Sequence, residues 1–274
     1  MANHLNTTRL FSGHDNGVYV LPEQVTAARN GWTWLGEASI ALQPPESPEQ
    51  VHAQIAAAMV VAATAGKPLP GVDPVLDAQT AQTRYREQVA AVIDAHNRAW
   101  SELASVITDL GPTIITDVLQ PVHDKAVAEL ADIAPLVAGL VTAADVATAP
   151  DKARKAWLRV EEVIARYSDA RAARADLTAF GVTPTQDTEG AFAGIKNLDV
   201  VWPLFRSYHL GGRREAPWHD MALREALLWQ IANGAVLWLP TPAEQDQRWQ
   251  EVIGVDVDQA NQRNRQMDSF RALA

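Results

Sequence analysis

The chain has 274 residues and carries 33 Asp and Glu against 23 Lys and Arg, a formal net charge of -10. That balance opposes nonspecific association with nucleic-acid phosphates, and the length suffices to bury a real core as one large domain or two small ones. The absence of cysteine excludes disulfides, thiol nucleophiles and cysteine-ligated zinc or iron–sulfur sites.

At 47% hydrophobic and 20% charged, the composition is that of an ordered soluble protein. Alanine is roughly one residue in six, and it enters helices without losing side-chain entropy, so a mainly α fold is expected. The opening MANHLNTTRLF lacks the basic region and apolar run of a secretory signal, which predicts cytoplasmic folding. The most apolar stretch, IAAAMVVAATA over Ile55–Ala65, is too short to cross a bilayer, and no membrane partner is expected.

Residues 1–46 read as an N-terminal extended or small β arm. Short apolar pieces, Gly17–Pro22, Trp32–Gly36 and Ala38–Leu42, are broken by glycine and proline. Trp32 and Trp34 are expected to dock on this chain or on a neighbour. Residues 47–180 then read as a bundle of long helices. Ser47, Pro48 and Gln50 form a helix start with a capping box, and Gly66, Pro68 and Pro70 stop the helix.

After Pro74 no glycine or proline interrupts the chain until Gly111–Pro112, so a helix of about 55 Å is expected over Pro74–Leu110, stopped at that pair. Its apolar seam is Ala78, Gln82, Tyr85, Val89, Val92, His96, Ala99, Leu103, Val106 and Leu110, in alternating steps of four and three, the heptad spacing of a coiled coil. Arg86, Ile93, Trp100 and Ile107 form a second line beside it. A stripe this wide predicts more than one partner. Pro121 opens a further helical stretch that Pro135 should bend or divide. Asp151–Phe180 reads as the second long helix, ended by Gly181, and as the antiparallel partner of Pro74–Leu110, in a helical hairpin or bundle.

Residues 181–190 form a polar linker, 191–254 a tryptophan-rich, mostly helical subdomain, and 255–274 a polar tail. Within the subdomain, a helix is expected over Pro217–Asn233, a strand or apolar connection at Val236–Leu239, and a capped helix from Thr241 with Glu244 completing the box.

Chemistry-bearing patterns are sparse. No HExxH, G-x-S-x-G, P-loop or dinucleotide motif occurs, and no cofactor or metal is implied. The acids of the long helix lie off the seam of His96, which reads as a hydrogen-bonded residue that sets register. Glu161 and Glu162 point about 100° apart on a helix and read as a solvated face. The basic side of Asp151–Gly181 is interleaved with acids, which favours solubility over nucleic-acid contact. One alternative site remains: His209 before Gly211–Arg214, with His219 and Asp220. Brought together in a concave site, these groups suit acid–base or ligand-binding work in a helical enzyme or binding protein.

The favoured expectation is a noncatalytic structural or interaction protein that self-associates or binds another structural protein. The interaction candidates are Trp32, Trp34, Tyr85, Ile93, Trp100, Trp157, Trp202, Arg206, Arg213, Arg214 and Trp218, since tryptophan and arginine are enriched at binding hot spots. The middle of the chain (VAAVIDAHNRAWSELASVI, then KARKAWLRVEEVIARY) and the closing APWHDMALREALLWQIANG…LPTPAEQDQRW resemble the alanine-rich helical virion and assembly proteins of actinobacterial phages and prophages. This resemblance implies an accessory role in capsid or tail assembly and a place in the virion, and it assigns no residue a role.

Overall fold

The computed structural model describes residues 8–140, 143–184, 192–205 and 215–254. The chain divides into two compact units: one is built from the segments up to Pro22 and from Ile107 onward, the other from Glu23–Val106. Among the described residues the fold is all helix, with a single isolated bridge between Ile195 and Leu237.

The first unit begins with α1 (Arg9–Asp15), which packs on α7 (Asp151–Asp176). Leu10 and Phe11 are fully enclosed, and the Leu10 amide donates to Asp176 at 3.0 Å. The Tyr19 hydroxyl donates to the carbonyls of Arg9 and Leu10, folding the Gly17–Pro22 link back on the helix. A Cβ at Gly13 would lie 2.4 Å from the Tyr19 ring, so glycine is required there for close approach.

These observations correct the expected β arm. No strand exists among the described residues, and Trp32–Gly36 lies inside α2 (Glu23–Ala41). The glycines read as breakers are tolerated within a helix. Gly36 lies under the His96 imidazole, where a Cβ would come within 3.4 Å of Nε2.

In the second unit α2 is followed by α3 (Pro48–Thr64), which has the expected capping box at Ser47 and Gln50, and by α4 (Asp73–Thr113). α4 runs past the predicted stop at Gly111–Pro112. Gly111 is a close-approach position, since a Cβ there would meet the Val182 side chain at 2.5 Å. Pro112 has no amide to give to the preceding turn, and a wide π turn over Ile114–Leu119 follows before α5 (Gln120–Val137).

The helix packed most extensively along α7 is α5, not α4. The facing stripes are Ala126, Leu130, Ile133 and Val137 on α5, and Ala153, Ala156, Val160, Val163, Ile164 and Tyr167 on α7, all buried. Pro135 sits in the last turn of α5, whose helix continues to Val137. The short α6 (Ala143–Thr148) completes the connection, and α7 ends in a 3-10 turn with Gly181 at φ 83°, a left-handed conformation that glycine adopts without strain.

The remaining elements are α8 (Leu198–Val201), α9 (Leu223–Ala232) and α10 (Pro242–Trp249), the last capped by Thr241 and Glu244 as predicted. The α9 helix is shorter than expected, because Pro217–Asp220 form a turn that sets Trp218 against Trp202 and Trp229. Phe192, Trp202, Phe205, Leu227, Leu237, Trp249 and Ile253 join the α5–α7 stripe in one core.

His123 is the one fully enclosed charged or titratable side chain in that core among the described residues. Its ring lies 5.0 Å from Tyr167, and Nδ1 donates to the Asp124 carboxylate at 3.0 Å, which leaves Nε2 without a partner. Burial, opposed by the Asp124 hydrogen bond, pushes its pKa down. The native state therefore holds neutral imidazole, while the unfolded chain takes up a proton below about pH 6.5. Stability is expected to fall as pH drops below 6.5, by up to about 1.4 kcal/mol per pH unit, and to level off below the native pKa. Urea denaturation at stepped pH values checks this against His123→Gln, which should lack that component of the slope.

Candidate interaction surface

Helix α2 buries only Val25 and Trp32. Trp32 stacks on His96 of α4 at 5.3 Å and 25°, and tilts against Trp100 at 5.7 Å. His96 Nε2 is buried without a hydrogen-bond partner among the described residues, so ring stacking holds the imidazole in place of the expected hydrogen bond. Trp34, two residues along α2, is 66% exposed, and Ile40 is 80% exposed.

Helix α3 has no buried residue at all. Its half-buried line is Val51, Ile55, Met59 and Ala62, and every other position from His52 to Thr64 is exposed, including Val60 and Val61. A stretch of helix that is apolar all round ordinarily lies inside a protein; Ile55–Ala63 of α3 does not.

On α4 the predicted seam is visible as burial. Ala78 and Leu103 are buried, and Gln82, Tyr85, Val89, Val92, His96 and Ala99 are half-buried. The line beside it divides: Ile93 is exposed, Trp100 half-buried and Ile107 buried.

The aromatic residues of the first unit are arranged differently. Trp157 is half-buried beneath the Arg224 guanidinium, 3.4 Å from its ring centroid, and Arg224 pairs with Glu161 at 3.0 Å. Trp202 is buried against Phe205, and Trp218 is half-buried. His219 lies on the surface 3.7 Å from Glu215, and Asp220 is exposed. Arg206, His209, Arg213 and Arg214 lie outside the described residues, so the alternative site is described only at His219 and Asp220. Among the described residues, no group of three histidines and acids is placed to hold a metal ion.

Arg154 and Lys155 pair with Asp151 one turn back on α7, while Arg159, Arg166, Arg171 and Arg174 are engaged by other parts of the chain. Arg166 grips the Glu129 carboxylate with two hydrogen bonds at 2.8 and 3.1 Å, and Arg159 joins it at 2.7 Å. The Arg166 hydrogen bond holds the Glu129 carboxyl below its ordinary range, against the upward pull of burial. Arg171 donates to the Ala193 carbonyl and lies over the Tyr167 ring. Arg174 donates to the Pro240 carbonyl and to Gln245 Oε1, and burial, followed by repulsion from Arg171, lowers its pKa to about 10. From the sequence, this basic side reads as serving solubility. The missing signal was the position of the arginines' partners, 22 to 71 residues away for Arg166, Arg171 and Arg174.

No helix among the described residues is long and apolar enough to cross a membrane. Comparison with family models, with curated proteins and with solved structures finds no match to this chain.

Proposed function

We propose that this chain is a noncatalytic structural or interaction protein, an assembly component that works through the apolar helix faces of Glu23–Val106. The observation that carries this reading is how little that unit encloses. Its only buried apolar side chains are Val25, Trp32, Ala78 and Leu103, while Trp34, Ile40, Val60, Val61, Leu69, Val72, Leu76 and Ile93 are exposed. Four buried residues, with half-buried lines beside them, leave the unit short of a core of its own. Exposed apolar area of this extent marks a surface that another molecule covers. The resemblance to phage virion and assembly proteins agrees with a capsid or tail accessory role.

Hydrogen exchange on the monomeric chain tests the reading. Amides of α2, α3 and the first half of α4 are expected to exchange about a hundredfold faster or more than those of α5 and α7, because local opening is cheapest where few apolar contacts are lost. Equal protection of the two units in the monomer would show that Glu23–Val106 is self-sufficient, and the proposal would fail.

A further inference from the structure

We propose that α3 pairs with α3 of a second copy of this chain, in an antiparallel arrangement about a two-fold axis. This inference rests on the interaction role proposed above and names the partner. Opposite the half-buried line of α3 lie Ala53, Ala57, Val60 and Thr64, all exposed, in steps of four, three and four. That spacing follows the 3.5-residue repeat with which two helices keep facing each other, and small side chains let their axes come close. The Thr64 hydroxyl already donates to the Val60 carbonyl at 2.8 Å, so it brings no unmet hydrogen bond to a contact. Val60, Val61, Thr64 and Ala65 line an open depression of about 400 Å³.

Charge selects the occupant. Two chains of net charge -10 repel, and least so where neither presents a charge. From Gln50 to Gly66 the sequence has no Asp, Glu, Lys or Arg, with Glu49 just before this stretch and Lys67 just after it. A two-fold axis crossing the helix between Ala57 and Val60 places Ala57 against Val60 of the other copy and Ala53 against its Thr64. The same axis brings each Glu49 beside Lys67 of the other copy. A parallel pair would instead set Glu49 against Glu49. The isologous contact is self-complementary in shape and charge. One helix face falls short of the roughly 800 Å² per partner of a standard interface. The resulting dimer is reversible.

Sedimentation velocity of the full chain from about 1 to about 200 µM reads this directly. A monomer–dimer equilibrium is expected. Ala57→Glu, which sets two carboxylates across the axis at an exposed position, should weaken it about tenfold or more. Glu49→Lys and Lys67→Glu should each weaken it, and the two together in one chain should restore it. A mass that stays at 29.8 kDa throughout, or a dimer indifferent to Ala57→Glu, would overturn the proposal. Failure of the charge-swapped pair to recover would overturn the antiparallel arrangement, and binding of a persistent monomer to phosphatidylcholine vesicles would replace the second copy with a lipid surface. The two readings separate cleanly: a monomer with poorly protected α2 and α3 sinks only self-pairing, whereas a monomer with both units equally protected sinks the interaction role as well.

Discussion

Trp32→Ala is expected to cost about 3–5 kcal/mol, the range for removing a large buried aromatic side chain, and the loss should fall on one unit alone. Trp32 is 4% exposed and supplies both ring contacts, to His96 and to Trp100, that tie α2 to α4. In a unit with three other buried apolar residues there is little to close over the gap. The expected result is release of α2 and accelerated exchange at the amides around His96 and Trp100, with α5 and α7 unchanged. Hydrogen exchange resolved by segment checks both halves of the statement. Undiminished protection of α2 in the variant would mean that other contacts hold it.

Leu130→Ala should cost about 2–5 kcal/mol in the other unit. Leu130 has no exposed surface and lies in the middle of the α5 stripe against α7. At a position with no exposed surface, the cavity penalty adds to the lost transfer energy. Urea denaturation followed at the tryptophans of this unit, Trp157, Trp202, Trp218, Trp229, Trp238 and Trp249, should show a lower midpoint with an unchanged slope. Leu130→Met conserves volume and should recover most of the loss.

What could be read from the sequence was local. The Ser47–Gln50 and Thr241–Glu244 capping boxes are both present, because each depends on residues three apart. The α4 seam from Ala78 to Leu103 emerges as burial, because helix periodicity alone decides which positions share a face. Misreadings arose where a residue's meaning depends on distant chain. Gly36 and Gly111 looked like breakers, yet both lie inside helices, and Gly111 makes room for the Val182 side chain from elsewhere in the chain. The reading of residues 1–46 as an extended or small β arm failed because the apolar pieces between the glycines join into one helix, with Trp32 buried and Trp34 exposed on it. The surface on α3 was legible as composition, in IAAAMVVAATA, but a run so apolar reads equally well as core. Only the three-dimensional arrangement separates those two.

Of the two borders between the units, Pro22 to Glu23 lies at the start of α2, whereas Val106 to Ile107 falls within α4 and not in a loop. No slack peptide marks it for a protease, which needs an extended stretch to bind. Severing the chain there would leave dangling amides on one side and dangling carbonyls on the other, four of each, where an unbroken ladder now satisfies them. Trimming the protein to either half therefore means ending a helix in mid-course.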